Sequence, residues 1–115
     1  MDATIYHNPR CSTSRNALAL LREAGIEPKI VEYLKDPPSR TKLKSLIKAA
    51  GVGVRGVMRR KEALYAELGL DNPKLSDEKL IDAMLAHPIL IERPIVETKK
   101  GVRVCRPLES VQEIL

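Results

Sequence analysis

The chain has 115 residues, of which 43% are hydrophobic and 30% charged. That is enough apolar material for one domain with its own core, and too little length for two comfortable ones. No apolar run approaches the ~18 residues of a membrane-spanning helix, and Asp2 to His7 lack the basic-then-apolar order of a secretory signal. Cys11 and Cys105 are the only cysteines and make no disulfide framework. A protein of the reducing cytoplasm is expected, with no membrane partner.

Charge adds a bias toward anions. Lys and Arg number 20 against 15 Asp and Glu, a net +5. Phe and Trp are absent, leaving Tyr6, Tyr33 and Tyr65 as the only aromatic residues, so base stacking has little material and a nucleic-acid partner is not expected. Between Pro37 and Lys61 lie eight basic residues and no acid. Such a run is either a solvated face or a docking surface for a polyanion.

Ala3 to His7 alternates and predicts a first strand, broken by Asn8-Pro9. Ser12 or Ser14 then caps a helix running to about Ala24, with Gly25 as its stop. Lys29 to Leu34 predicts a second strand, which completes the opening of a βαβ unit. After Asp36-Pro37-Pro38, Ser39 caps a helix with Leu43, Leu46, Ile47 and Ala50 on one stripe. Arg55 to Leu68 reads as one or two short helical pieces, and Ser76 caps a further helix that closes at His87-Pro88. Ile89 to Ile91 and Pro94 to Thr98 are β-like, and Lys99-Lys100-Gly101 turns the latter into an alternating Val102 to Cys105 hairpin strand. Pro107 opens a last helix with Leu108, Val111, Ile114 and Leu115 inward. The expectation is one α/β domain over residues 1–115, a mixed βαβ…ββα sheet with a helical insert at about 39–88.

The chemistry concentrates at Cys11, between the first strand and the first helix, in Tyr6-His7-Asn8-Pro9-Arg10-Cys11-Ser12-Thr13-Ser14-Arg15. Free N–H groups at a helix start favour an anion. A thiolate there has a lowered pKa, which Arg10, Arg15 or a charged His7 would lower further. Cys11 is therefore the candidate nucleophile, with a buried structural cysteine as the plain alternative. Ser14 stands where a dithiol motif would place its second cysteine, and Ala17 where a cysteine phosphatase would place its arginine. His7 is either a partner of the thiol or simply the end of the strand. Cys105 fits a small buried hydrophobe, and His87 a helix-end residue. Two Cys and two His so dispersed give no zinc-site spacing. Arg59, Arg93 and Arg106 have the planar fork suited to oxyanions, though each alone also fits a surface residue.

The segments Ile5 to Arg15, Tyr33 to Arg40, His87 to Ile95 and Cys105-Arg106-Pro107 together resemble the glutaredoxin-coupled arsenate reductase family, in register over nearly the whole chain. The resemblance implies a thioredoxin-like fold with a helical insert. It aligns Cys11 with the nucleophile, His7 with the histidine that helps keep it ionised, and Ser14 with a residue that helps stabilise the thiolate. Arg59, in Val54-Arg55-Gly56-Val57-Met58-Arg59, matches the first oxyanion-binding arginine, with Arg60 as its neighbour in register. Arg93 and Arg106 match the other two, and Pro94 matches a cis-proline beside the site. Some characterised relatives carry a longer C-terminal tail.

The implied activity is reduction of arsenate to arsenite, with no bound cofactor, glutathione as co-substrate and glutaredoxin as partner. Related branches share the fold without that activity, among them a transcription regulator that binds RNA polymerase. A binding or regulatory protein contacting polymerase or nucleic acid through the 37–61 stretch is therefore the alternative. The regulator's usual Cys-x-x-Cys switch is absent here.

Overall fold

The computed structural model describes residues 2–115. The chain forms two compact units, one from the segment ending at Asp36 together with Arg93–Leu115, the other from Pro37–Glu92. The second contains the expected helical segment.

The first unit is built on a four-stranded mixed sheet. Its strands are β1 (Ala3–Tyr6), β2 (Lys29–Val31), β3 (Ile95–Thr98) and β4 (Gly101–Val104), in the order β2-β1-β3-β4. β1 runs parallel to β2, with Ile5 opposite Ile30, and antiparallel to β3, with Ile5 opposite Val96. β3 and β4 form the antiparallel hairpin, with Ile95 opposite Val104. Helix α1 (Ser12–Glu23) is the crossover of the parallel pair, since parallel strands cannot be joined by a tight turn. This is the mixed βαβ…ββα sheet of the sequence reading.

Ala17 and Leu21 of α1, one helical turn apart, are buried with Ile5, Val96, Cys105, Val111 and Ile114 in one cluster. Each fully buried Leu, Ile or Val among them stabilises the fold by about 1.5–3 kcal/mol. The core therefore fixes α1 against the sheet, and with it the α1 start that carries Cys11. Gly25, at φ +80°, ends the helix in a left-handed conformation that a side chain would strain.

The second unit holds α2 (Arg40–Ala50), α3 (Gly53–Gly56), α4 (Ala63–Glu67) and α5 (Asp77–Ala86). Ser39 and Ser76 cap α2 and α5 as expected, their hydroxyls accepting the N–H of Lys42 and of Lys79. Leu43, Leu46 and Ile47 of α2 and Leu80, Ile81 and Met84 of α5 are the buried stripes, and the two helices pack together with α3.

Four local expectations need correction. The α1 N-cap is Cys11, not Ser12 or Ser14; Ser12 already lies inside the helix and Ser14 is turned toward the preceding strand end. The second strand stops at Val31 because the chain turns at once, with Lys35 and Asp36 N–H both donating to the Glu32 carbonyl. Ile89 to Ile91 form no strand. Pro88–Leu90 is a 3₁₀ turn, and Ile91 makes only an isolated antiparallel bridge with Met58. The last segment, Leu108–Ile114, is 3₁₀ rather than α-helical, though Val111 and Ile114 are buried as expected.

Candidate active site

A tight turn delivers Cys11 to the start of α1. Asn8 precedes a proline and so favours an extended backbone. Its side-chain Oδ1 accepts the Arg10 N–H at 3.0 Å, and its carbonyl accepts the Cys11 N–H at 3.0 Å. Cys11 is extended, at φ −95° and ψ 123°, and its carbonyl accepts the Arg15 N–H, the first hydrogen bond of the helix. Its sulfur thus stands where a capping oxygen usually sits.

Partial burial alone would raise the Cys11 pKa, but the net shift is downward. The Ser14 N–H, the Arg93 guanidinium and the Thr13 N–H all favour the thiolate. No side chain makes an ordinary cap hydrogen bond at this helix start, so the anion itself answers the free N–H groups. The expected contribution of Arg10 or Arg15 is not found. Arg15 Nη1 donates to the Pro9 carbonyl at 2.9 Å, while Arg10 is exposed. The cation at the sulfur comes from the far end of the chain, from Arg93.

His7 and Ser14 lie together beneath this turn. His7 Nδ1 and Ser14 Oγ share a hydrogen bond of 2.6 Å, and Ser14 Oγ also accepts the Asn8 N–H at 3.0 Å. Both side chains are buried. Burial lowers the His7 pKa, and Arg15 and Arg22 lower it further against the opposing effect of Glu32. Burial and the two arginines therefore favour the neutral ring, hydrogen-bonded to Ser14.

Arg93 and Pro94 enter the same unit just before β3, joined by a cis peptide bond, and Arg106-Pro107 is also cis. The buried Pro94 carbonyl accepts the Cys105 N–H at 3.0 Å, which ties the two Arg-Pro segments together. Arg106 is exposed and lines a recess of about 260 Å³ with Thr13, Asn16, Leu108 and Glu109. Cys105 is fully buried, and burial pushes its thiol up to about 12. It is the small apolar residue that the alternation implied.

Arg59 belongs to the second unit. It is half-buried between two carboxylates, Glu62 and Glu92, each at 3.6 Å, and its N–H donates to the Leu90 carbonyl at 2.7 Å. Arg60 is exposed. The basic stretch is compensated in part. Arg40 and Lys44 pair with Glu78, and Arg40 also with Asp82. Arg55 donates to the Tyr65 hydroxyl and to the carbonyls of Leu70 and Asn72. Part of what looked acid-free in sequence meets its acids across the fold, while Lys48, Arg60 and Lys61 are exposed. His87 is exposed just after α5, where a helix-end residue was expected.

The ArsC family profile matches residues 6–114. The chain belongs to the ArsC family. It is 60% identical over 115 residues to an arsenate reductase of Rhizobium meliloti, covering 100% of this chain and 82% of the relative. An arsenate reductase of Escherichia coli K12 is 54% identical over 114 residues, with 99% and 81% covered. Among solved structures, an arsenate reductase from Vibrio cholerae superposes with a TM-score of 0.96 at 51% identity, covering 100% of this chain and 98% of that one. These ArsC neighbours share the thioredoxin-like fold that the sequence resemblance implied. Among the described residues, no helix is long and apolar enough to cross a membrane, and no group of three or more His, Cys, Asp or Glu side chains gathers to hold a metal.

Proposed function

We propose that this chain reduces arsenate to arsenite, with Cys11 as the nucleophile and external thiols as the source of electrons. The observation that carries the reading is the Arg93 guanidinium at the Cys11 sulfur, over the free N–H groups of Thr13 and Ser14. A lowered thiol pKa supplies the nucleophile at neutral pH. The same cation and N–H groups suit a tetrahedral oxyanion brought to that sulfur. Relatives at 54% and 60% identity named arsenate reductase support the substrate. The polyanion-binding alternative is not favoured, because relatives of such identity over the whole chain are named arsenate reductase.

Arsenate is held by Arg93 and Arg106 of the unit that carries Cys11. The Cys11 thiolate attacks arsenic, forming an S–As bond while an As–O bond breaks and the oxygen leaves as water or hydroxide. Arginines offset the charge that builds on the remaining oxygens. Two electrons then reach arsenic from two thiols, Cys11 and glutathione, which become joined as a mixed disulfide as arsenite leaves. Glutaredoxin with further glutathione returns Cys11 to the thiol. Ser14 holds the first turn of α1 and His7 holds Ser14, so these two position the sulfur. The surroundings that supply such thiols are those of the cytoplasm.

Steady-state arsenite formation with purified protein, glutathione and glutaredoxin, omitting each in turn, tests the reading. Turnover that needs both reductants supports it. Arsenate reduction independent of any added thiol contradicts it.

A further inference from the structure

Beside the Arg15 contact to the Pro9 carbonyl, the turn in front of Cys11 is held by one residue to which neither the sequence motifs nor the arginine set gives a role. Asn8 is 7% exposed and makes three of the contacts that shape the 8–11 segment. Its Oδ1 accepts the Arg10 N–H, its carbonyl accepts the Cys11 N–H, and its own N–H donates to Ser14 Oγ. The first is an Asx-turn, the local device by which Asn imitates one more peptide unit. The second closes the turn on the nucleophile. The third ties the turn to the hydroxyl that also bonds His7.

We propose that Asn8 is a positioning residue for the nucleophile, its side chain holding the turn that sets the Cys11 sulfur over the Thr13 and Ser14 N–H groups. The proposal rests on Cys11 being the nucleophile. Asn8 touches no substrate and acts only through Cys11. The N–H dipoles at a helix start are effective only over the first turn, so a sulfur displaced by an ångström loses much of what keeps it ionised. Among the contacts of this turn, only the Oδ1 contact depends on the side chain. Alanine therefore removes the Asx-turn and leaves the two backbone ties in place. A shorter hydroxyl at this position makes the same contact more weakly.

The test is the pH dependence of Cys11 alkylation by iodoacetamide in Asn8→Ala and Asn8→Ser, beside kcat and KM for arsenate. Cys105 is buried with its thiol near 12 and stays silent in this titration. Asn8→Ala should raise the alkylation midpoint and lower kcat roughly 10- to 100-fold, the scale for misplacing a reacting group, with KM nearly unchanged. Asn8→Ser should recover part of both. A wild-type midpoint in a folded Asn8→Ala protein overturns the proposal, as does a serine variant no better than alanine. If Asn8→Ala does not fold, Asn8→Ser is compared with wild type alone. An upward midpoint then supports positioning, and a lowered Tm with an unmoved midpoint contradicts it. The titration needs no arsenate, so a failed arsenate assay with a shifted midpoint would sink the proposed activity and leave this inference standing.

Discussion

Ser14 Oγ lies 2.6 Å from His7 Nδ1 and 3.0 Å from the Asn8 nitrogen, so one hydroxyl joins the end of β1 to the first turn of α1. With burial favouring the neutral ring, the proposed route from His7 to Cys11 runs through the placement of Ser14 rather than through a charge. His7→Ala should therefore raise the Cys11 alkylation midpoint modestly, and Ser14→Ala should do the same. The wild-type alkylation profile should show one inflection, below the ~8.5 of a free cysteine. A second inflection near 6.5 that disappears in His7→Ala would instead mark an imidazolium partner.

The same two shifts make stability depend on pH in separate windows. The native Cys11 thiol ionises at lower pH than the unfolded one. Its contribution is complete above the unfolded value of ~8.5 and is lost as pH falls through the native pKa. The stability of wild type relative to Cys11→Ser should therefore grow as pH rises toward ~8.5. His7 is kept neutral in the native state, whereas the unfolded chain takes up a proton below ~6.5. Its part of the stability is lost as pH falls from there toward the native pKa. Urea midpoints across this range check both signs, and a wild-type-to-His7→Gln difference that is flat below 6.5 contradicts the buried neutral ring.

The arginines separate by partner. Arg93→Ala should raise the Cys11 midpoint and also cut kcat, on the order of the 10²–10³ loss seen when one transition-state donor is removed. Arg106→Ala should cut turnover while leaving the midpoint in place. Arg93→Lys should recover the midpoint better than the rate, since a lysine supplies charge without the bidentate fork. Arg59→Ala should lose activity and Arg60→Ala should keep it. The reverse result would shift the family match of this segment by one residue.

The reductant should come from outside the chain. Cys105 is fully buried with its thiol near 12, a poor attacking group at neutral pH. Cys105→Ala should keep most activity, at a stability cost of about 1 kcal/mol for the small volume lost. An intramolecular Cys11–Cys105 disulfide after one turnover, seen by mass spectrometry, would require a two-cysteine route.

Most of the scaffold was legible because local and tertiary preferences agree. Ser39 and Ser76 sit directly before amphipathic stripes, and both cap as read. Ile5, Tyr6 and Val96 lie in strands where strands were expected. Reading failed where a residue's partner lies far along the chain. The β-prone Ile89 to Ile91 run is bent into a 3₁₀ turn after Pro88, leaving only Ile91 to meet Met58. Arg15 stands four residues from Cys11 yet bonds the Pro9 carbonyl, while the distant Arg93 reaches the sulfur. The basic run looked unpaired because Glu78 and Asp82 come much later in sequence. Asn8 read only as a strand breaker, although an Asn before Pro two residues ahead of an N–H is the signal of an Asx-turn.

The central claim is that arsenic chemistry runs through the Cys11 sulfur. Arsenite formed per enzyme, with glutathione and glutaredoxin in excess, should be compared between wild type and Cys11→Ser. The serine variant keeps nearly the thiol's size but not its ionisation, so it should fold like wild type, with superimposable circular dichroism. Multiple turnovers by wild type and none by Cys11→Ser are the predicted result. Arsenite formation by the serine variant at a comparable rate would contradict the account.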